Sequence, residues 1–261
     1  MEKAKNTECA SEPVAEWVSR EVERHNSVHG NLKGYDCKEC LNRGTFMRTN
    51  DDGYNVVYHC ECMKVRRSMR QIKKSGLDNI LDDCTFEKFT TEDSWQVLAK
   101  QKAIDFTTDT QSRWFFAGGQ VGAGKTHLCT AITGWFLRQG KPARYMLWRD
   151  EVVRLKGMVN DGKEYAEAIS ELKKTAVLYI DDFFKTERNT RPTAADINVA
   201  FELINSRYYD KNLITIISSE RTSEEIIKID EAIGSRIFER AKRYCLNIEH
   251  DKNKNFRLRK D

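Results

Sequence analysis

The stretch Gly119-Gln120-Val121-Gly122-Ala123-Gly124-Lys125-Thr126 decides the fold, because it has the G-x-x-x-x-G-K-T form of a phosphate-binding loop. Backbone N–H groups of such a loop wrap the phosphates of a nucleotide, and the following helix directs its positive end at them. Lys125 would reach the outer phosphates, and the Thr126 hydroxyl would be a ligand of Mg²⁺. The nucleotide-binding residues predicted on this basis are Gly119, Gly122, Ala123, Gly124, Lys125, Thr126 and His127.

A second motif, Val177-Leu178-Tyr179-Ile180-Asp181-Asp182, is an apolar strand that ends in two carboxylates. Asp181 would hold the Mg²⁺ from the neighbouring strand, usually through water, because this small ion keeps much of its hydration shell. The two motifs together are more specific for a nucleoside-triphosphate site than either motif is alone.

The segments around both motifs alternate between strand and helix patterns. An apolar strand at 113–117 precedes the loop, and a helix at 127–139 follows it. Further strands are predicted at 144–148, Val177–Asp181, 213–219 and 244–248. Thr193 begins a helix between the strand that ends at Asp181 and the strand at 213–219. Continuous apolar strands that alternate with helices predict a three-layer α/β domain with a parallel sheet.

The composition limits the class of protein. The chain has 261 residues, 39% of them hydrophobic, a mean hydropathy of −0.67 and a net charge of +4. Residues 1–20 lack a continuous apolar core and no stretch approaches a membrane span, so we expect a cytoplasmic protein with no membrane partner. Basic residues cluster in two places, which favours nucleic acid or an acidic protein surface, although either cluster could be a solvated face. They are Lys64, Arg66, Arg67, Arg70, Lys73 and Lys74, and then Lys252, Lys254, Arg257, Arg259 and Lys260.

Four of the eight cysteines form two close pairs, Cys37-x-x-Cys40 and Cys60-x-Cys62. Such pairs suit tetrahedral coordination of Zn²⁺ by thiolates, with a hairpin between them, and four thiolates leave no open position for catalysis. The alternative is a set of unrelated reduced thiols. His59 could replace one ligand. Cys9 and Cys84 have no partner at metal spacing.

A helix with apolar residues on one face precedes the cysteines and could dock on the zinc module or on a partner protein. A connector around Gly76 follows the basic run. We therefore predict two domains, a zinc-binding amino-terminal domain at 1–76 and a nucleotide-binding domain at 77–261.

Two further patterns distinguish subclasses of phosphate-loop proteins. The strand at 213–219 ends in Ser218-Ser219-Glu220, which places polar side chains near the γ-phosphate. The segment Gly234-Ser235-Arg236-Ile237-Phe238-Glu239-Arg240 puts an arginine at the start of a later helix. Arg236 there could stabilise the phosphoryl group bound by a neighbouring subunit, or it could form a surface ion pair with Glu231 or Glu239.

The order of these motifs resembles the AAA+ helicase loaders of the DnaC/DnaI type. The likeness covers the phosphate loop, Tyr-Met-Leu-Trp, Leu-Tyr-Ile-Asp-Asp-Phe-Phe-Lys, Ile-Asn-Ser-Arg-Tyr-Tyr, Thr-Ile-Ile-Ser-Ser-Glu and Ser-Arg-Ile-Phe-Glu-Arg, over residues 85–261. The four-cysteine module is similar to the zinc-bearing amino-terminal domain of the DnaI branch. The resemblance implies an ATPase that uses ATP, Mg²⁺ and Zn²⁺.

The resemblance also implies roles for individual residues. Lys125, Asp181, Asp182 and Arg236 would be the catalytic residues, with Asp182 at the position where AAA+ proteins carry a water-polarising glutamate. Aspartate is one methylene shorter, so hydrolysis is expected to be slow and stimulated by DNA or a partner. Ser219 or Glu220 would be the first sensor, and Arg240 a second candidate for contact across the subunit boundary. The short sequence after Arg240 predicts an absent or truncated helical lid, with Arg257 as the only candidate for a second sensor.

The segment 148–174 corresponds to the insertion that contacts single-stranded DNA in relatives of this family. The residues suited to neutralise phosphates or stack bases are Trp148, Arg149, Arg154 and Lys156. Six acidic residues lie in the same segment, so it is not a strong basic stripe.

The leading functional hypothesis is an ATP-dependent loader that delivers a replicative DNA helicase to single-stranded DNA during replication initiation or restart. Its zinc domain would hold the helicase, and its AAA+ domains would form a homo-oligomer bridged by ATP. The alternative is an IstB-like ATPase that assists a DNA transposase, against which the four-cysteine module argues. A third hypothesis is a zinc-ribbon protein that binds nucleic acid and whose nucleotide site is mainly structural.

Overall fold

The computed structural model describes residues 14–72, 78–187 and 190–258. The chain divides into two compact units, Met1–Arg66 and Arg67–Asp261. The predicted domain boundary after residue 76 lies within 73–77, outside the described residues, and so do Cys9, Lys73, Lys74, Arg259 and Lys260. The division into domains at that position therefore stays a prediction.

The first unit is a helix and a hairpin built around the cysteines. Helix α1 (Val14–Ser27) precedes strands β1 (Thr45–Thr49) and β2 (Asn55–His59), which pair antiparallel with Thr45 opposite His59. The hairpin predicted between the two cysteine pairs is thus confirmed. The Asn26 side chain fastens α1 to β1, since its Nδ2 donates to Met47 O at 2.9 Å and its Oδ1 accepts from Met47 N at 2.8 Å. Helix α2 (Cys62–Ile72) begins at the last cysteine of the pattern.

The second unit contains a parallel sheet of five strands in the order β4-β5-β6-β3-β7. The strands are β3 (Trp114–Gly119), β4 (Ala143–Leu147), β5 (Val177–Asp181), β6 (Ile214–Ser218) and β7 (Cys245–Ile248). The helices are α3 (Asp78–Asp83), α4 (Ser94–Thr108), α5 (Lys125–Arg138), α6 (Trp148–Gly157), α7 (Gly162–Lys174), α8 (Ala194–Tyr209), α9 (Ser223–Ile229) and α10 (Glu231–Ala241).

Side chains of β3 show that both faces of the sheet are covered. Trp114 and Phe116 belong to the core formed with α6 to α10. Phe115 points to the opposite face, where its ring centroid lies 5.5 Å from that of Phe106 on α4. Successive strand residues face opposite sides, so each strand is buried twice and its sequence is apolar throughout. The predicted three-layer α/β architecture is confirmed.

Strand β4 ends one residue earlier than predicted, because Trp148 begins α6 instead of closing the strand. After α10 the described residues form a short 3₁₀ turn (Lys242–Tyr244), β7 and a second 3₁₀ turn (Lys252–Lys254). Among the described residues no helical lid follows α10. None of the described helices is long and apolar enough to cross a membrane.

Arg207 on α8 fastens the end of α7 to the start of β6. It is fully buried, and its guanidinium donates to the carbonyl oxygens of Leu172 at 3.0 Å, Thr175 at 2.9 Å and Ile214 at 2.7 Å. Burial lowers the pKa of this guanidinium to about 9. The arginine of the Ile-Asn-Ser-Arg-Tyr-Tyr motif is thus a core residue that satisfies the last carbonyls of a helix.

Candidate nucleotide and metal sites

The phosphate-binding loop is shaped by two close approaches to the end of the chain. Gly119 has a φ of 100°, and a Cβ there would overlap the carbonyl oxygen of Ile248. Gly122 has a φ of 73°, and a Cβ there would overlap Oδ1 of Asn255. Only glycine fits both positions, because it lacks a Cβ and adopts positive φ at little cost.

Lys125 is the first residue of α5 and is 6% exposed. Its Nζ donates to the carbonyl oxygens of Gly119 at 2.8 Å and Gln120 at 2.6 Å. Burial lowers the pKa of the ammonium group, while the charges of Glu220 and Asp182 act in the opposite direction. The ammonium group therefore lies across the loop at the amino-terminal end of α5, where phosphates bind.

Residues 248–257, called the C-terminal strap below, run along the same loop. Gln120 N donates to Ile248 O at 3.0 Å, and its Oε1 accepts from Asp251 N at 2.9 Å. Further on, Phe256 N donates to Gly122 O at 3.1 Å. The strap thus contacts the phosphate-binding loop at both ends, and the sequence alone did not indicate these contacts.

A cavity of about 320 Å³ opens beside the loop. Its lining combines loop residues with side chains from the ends of β5 and β6 and from the strap. The charged and polar residues in this lining are Lys125, Thr126, His127, Asp182, Lys185, Glu220 and Arg257. Phosphate ligands, carboxylates and cations are therefore combined at the carboxyl edge of the sheet.

Asp181 is a buried carboxylate surrounded by hydroxyl groups. Thr126 Oγ1 and Tyr179 OH donate to its Oδ1 at 3.2 and 2.7 Å, and Ser218 Oγ donates to the same oxygen. Tyr145 OH donates to Oδ2 at 3.1 Å. Burial and then the charge of Asp181 raise the pKa of both phenols, so each stays protonated and remains a donor.

The Thr126 and Asp181 oxygens fit a shared Mg²⁺ ion. They lie 3.2 Å apart, and adjacent oxygens of an octahedral shell with ligands at 2.0–2.1 Å are separated by about 3 Å. A hydroxyl and a carboxylate are also the hard oxygen ligands that this ion prefers.

Asp182 follows β5 in a left-handed conformation, with a φ of 54°. Its backbone N donates to Ser218 Oγ at 3.1 Å, and its Oδ2 accepts from Lys185 Nζ at 2.9 Å. The same Lys185 Nζ donates to Glu220 Oε1 at 2.7 Å. The residue predicted to polarise water is therefore held in an ion-paired cluster at the cavity.

Ser219 and Glu220 were alternative predictions for the first sensor, and they lie in different places. Ser219 is fully buried, and its Oγ donates to Phe183 O at 2.7 Å and accepts from Arg221 N at 3.1 Å. Its neighbours on either side face the site: Ser218 Oγ donates to Asp181, and Glu220 accepts from Lys185. The structure therefore brings Glu220 and not Ser219 to the cavity, since adjacent side chains of an extended chain point in opposite directions.

His127 and Ala123 have structural roles at the site. His127 Nε2 is 2.7 Å from Thr85 O, and its ring lies edge-on to Phe89 at 5.3 Å. Ala123 is 2% exposed within the loop. The His127 side chain thus connects the start of α5 to the turn at 85–89.

Arg236 on α10 does not line the cavity described above. Its guanidinium lies over the rings of Phe201 and Tyr208, at 5.3 and 5.6 Å, and Nη1 donates to Ala232 O at 2.7 Å. Its Nε is buried without a hydrogen-bond partner. Arg240 lies over the same Tyr208 ring at 6.0 Å.

The segment 148–174 forms α6 and α7, and its four predicted DNA-contact residues are buried or ion-paired within the fold. Trp148 is 2% exposed and lies edge-on to Phe183 and Phe184, at 4.7 and 5.5 Å, so its ring is not placed to stack on a base. Lys156 pairs with Asp196 at 2.7 Å. Arg149 and Arg154 pair with Glu187 and Glu151, but their side chains remain 47% and 40% exposed.

The four predicted zinc ligands form one buried cluster in the first unit. The Sγ atoms of Cys37 and Cys60 lie 3.7 Å apart, those of Cys40 and Cys62 3.5 Å apart, and all four lie within 4.8 Å of one another. A tetrahedron with Zn–S bonds of about 2.3 Å has S···S edges of about 3.8 Å, so the spacing fits Zn²⁺. His59 is exposed and lies outside the cluster.

Arg66 stabilises the segment that leads into this cluster. It is 6% exposed and donates to the carbonyl oxygens of Lys33 and Tyr35, both at 2.7 Å, and to Asn42 Oδ1 at 2.9 Å. This member of the basic run is therefore a structural residue and not part of a solvated face.

Sequence reasoning missed several residues of the nucleotide site. Tyr145 and Tyr179 are register partners on β4 and β5, and Tyr179 lies two residues before Asp181 on the same face of the strand. That spacing is a signal that could have found Tyr179. The partners of Lys185 and the strap contacts had no comparable signal, because they depend on a turn and on long-range packing.

Comparisons with known proteins identify an ATP-binding family. Residues 57–261 match the family of IstB-like ATP binding proteins. The phage-like element PBSX protein XkdC of Bacillus subtilis (strain 168) is 30% identical over 226 residues, which cover 82% of this chain and 83% of that protein. The replicative helicase loader DnaC of Escherichia coli (strain K12) is 23% identical over 180 residues, or 68% of this chain and 70% of that one.

A solved structure is similar in fold. The crystal structure of DnaI superposes with a TM-score of 0.54 at 20% identity, covering 66% of this chain and 93% of that chain. The parallel five-stranded sheet and the phosphate-binding loop match the AAA+ fold expected from the sequence. The chain therefore belongs to the family of IstB-like ATP-binding proteins, which includes relatives of the DnaC type.

Proposed function

We propose that this protein is an ATP-dependent loader, which delivers a replicative DNA helicase to single-stranded DNA during replication initiation or restart. The observation that carries the proposal is the presence, in one chain, of a phosphate-loop ATP site and a buried four-thiolate cluster. The E. coli relative is named a replicative helicase loader, and this name supports the proposal. The first unit would hold the helicase, and the second would time its release.

The four-cysteine cluster would bind Zn²⁺ as a structural ion. Its four soft donors and their spacing suit a closed tetrahedral site. The metal would fix the short segments between α1 and α2, which have little apolar core of their own. Its role would be to present a folded surface to the helicase and not to take part in hydrolysis.

The second unit would bind ATP with Mg²⁺ and hydrolyse it slowly. Lys125 would hold the outer phosphates, and Thr126 and Asp181 would hold the ion. Asp182 would orient the attacking water, but its side chain is one methylene shorter than glutamate and is paired with Lys185. A partner or DNA would therefore be needed to reach full activity.

Neighbouring chains would assemble with ATP between them. Arg236 would reach the nucleotide of the adjacent subunit, and the homo-oligomer would be most stable with ATP bound. The exposed guanidinium groups of Arg149 and Arg154 would contribute phosphate contacts to single-stranded DNA.

The test is a capture experiment with the full chain and a replicative helicase. Wild type is compared with Cys37→Ser/Cys40→Ser and with Cys245→Ser, a matched control because Cys245 lies in β7 outside the cluster. We expect the double variant to lose bound zinc and helicase capture, while the control keeps both. Zinc is measured by elemental analysis.

The other two hypotheses predict different results in the same assay. Capture of a DNA transposase in place of the helicase would favour the IstB-like alternative. A mainly structural nucleotide site would leave no ATPase activity for Lys125→Ala to remove. If wild type captures no helicase with ATP and Mg²⁺ present, the loader proposal is wrong.

A further inference from the structure

Lys185 connects two carboxylates at the rim of the nucleotide cavity. Its Nζ lies 2.9 Å from Asp182 Oδ2 and 2.7 Å from Glu220 Oε1. All three residues line the cavity together with Lys125 and Thr126. The three side chains of the cluster are 21–39% exposed, so the ion pairs are partly shielded from water.

The backbone holds Lys185 in this position. Asp182 and Phe184 both have left-handed conformations, with φ of 54° and 61°, which is unusual for an aromatic residue. Such conformations cost free energy and persist only where packing enforces them. Phe183 and Phe184 are fully buried and stack at 4.2 Å, and Trp148 lies edge-on to both rings. The aromatic packing thus fixes the turn that presents Lys185 to the cavity.

The charge balance of the cavity depends on this ammonium group. The carboxylates Asp182 and Glu220 share the cavity with three cationic side chains, Lys125, Lys185 and Arg257. Among the described residues, only Lys185 forms ion pairs with both carboxylates. Burial lowers the pKa of Lys185, but its hydrogen bonds with Glu220 and Asp182 outweigh that effect and raise it. The group therefore stays charged when a nucleotide enters.

A triphosphate adds further negative charge at the same end of the cavity. The charges of Glu220 and Asp182 act on Lys125, so both carboxylates lie within electrostatic range of the phosphate-binding residue. Without Lys185 they would repel the outermost phosphate. A diphosphate ends one phosphate earlier and would meet less of this repulsion.

We propose that Lys185 is a positioning residue that shields the γ-phosphate from Asp182 and Glu220 and thereby makes the site selective for ATP over ADP. This inference rests on the nucleotide-binding part of the proposed function and not on helicase loading. On binding, the triphosphate competes with both carboxylates for Lys185, and Asp182 loses a partner and is free to orient water. No bond is formed or broken in this step.

The test compares the dissociation constants of ATP and ADP with Mg²⁺, measured by calorimetric titration of the full chain. Lys185→Met is expected to weaken ATP binding about tenfold and ADP binding less than about twofold, because juxtaposed like charges cost free energy. Lys185→Arg keeps the charge and should restore the ATP value to within about threefold. Lys185→Met/Glu220→Gln removes one repelling carboxylate and should recover part of the loss.

A separate variant keeps the inference testable if Lys185→Met fails to fold. Glu220→Gln alone removes one repelling charge and is expected to raise the preference for ATP by about threefold. A merely structural role for the ion pair would instead weaken both nucleotides equally. Equal effects on ATP and ADP in these variants overturn the inference.

Lys125→Ala separates this inference from the proposed nucleotide site. If it abolishes binding of both nucleotides while Lys185→Met leaves the ATP preference unchanged, only the role of Lys185 is wrong. If Lys125→Ala leaves both nucleotides bound, the nucleotide site itself is wrong.

Discussion

The phosphate-binding edge of the sheet and the face that carries Arg236 were both predicted to serve ATP hydrolysis, yet they are built differently. At the edge, Thr126 and Ser218 donate to the Asp181 carboxylate, and the backbone N of Asp182 donates to the same Ser218 hydroxyl. On α10, Arg236 lies on the rings of Phe201 and Tyr208 of the same chain, and its Nε has no partner. A single chain thus holds one organised half of the proposed site, and in our proposal Arg236 supplies the other half to a neighbouring chain.

This difference would account for the slow hydrolysis that we propose, even though the motif is complete. The edge is assembled by backbone geometry within one unit, so it exists before any partner binds. The guanidinium of Arg236 is held by contacts with aromatic rings, which are worth about 0.5–1 kcal/mol each at exposed sites. Contacts across a subunit interface can replace them.

The largest effect is expected at the organised half. Lys125→Ala removes the only buried ammonium group of the loop and should abolish ATP binding and hydrolysis, with hydrolysis falling by more than about 10³-fold. Nucleotide binding is measured by titration and turnover by phosphate release. Lys211→Ala, an exposed lysine beyond α8, is the matched control and should match wild type. Retained binding in Lys125→Ala would contradict the assignment of the loop.

Arg236→Ala should leave ATP binding unchanged and lower hydrolysis by about 10²-fold or more, because an arginine supplied by a neighbour stabilises the transferring phosphoryl group. Mixing it with Lys125→Ala gives a sharper test. One variant then supplies the nucleotide site and the other supplies the arginine. About a quarter of the interfaces in an equal mixture would combine both, so hydrolysis should recover in part. No recovery on mixing would show that Arg236 does not act across subunits.

The same contrast shows what the sequence could predict. Thr126 and Asp181 were identified because motif spacing fixes a strand, a turn and a helix, and those elements place the two oxygens 3.2 Å apart. The four cysteines were identified for the same reason, since two short spacings define the edges of a tetrahedron. Local sequence is sufficient where local backbone geometry builds the site.

Trp148 and Ser219 show where that reasoning stops. An aromatic residue followed by charged residues resembles a nucleic-acid surface, but Trp148 is buried against Phe183 and Phe184, which are distant in sequence. Ser219 shares its residue type with Ser218, and only the alternation of the strand decides which hydroxyl reaches Asp181. Contacts that depend on tertiary packing or on an exact strand end leave little trace in composition.

A moderate effect is expected from lengthening Asp182. Asp182→Glu should raise single-turnover hydrolysis by about fivefold, because a longer carboxylate reaches further towards the attacking water. Its left-handed φ of 54° is less suited to glutamate than to aspartate, so a small loss of thermal stability should accompany the gain. Asp182→Asn keeps the size, loses the charge and should lower hydrolysis by about 10²-fold. Equal losses in both variants would remove Asp182 from the water-orienting role.

The smallest effect is expected from releasing Arg236. Phe201→Leu removes one ring beneath the guanidinium and should raise hydrolysis about two- to threefold at high protein concentration, where neighbouring chains meet. ATP binding should not change, because the phosphate-binding edge is untouched. Phe238→Leu is the matched control, since this exposed ring lies on α10 and is not among the rings over which Arg236 lies. If Phe201→Leu lowers hydrolysis while Phe238→Leu does not, the ring orients Arg236 towards its partner instead of holding it back, and the two halves of the site are then equally organised.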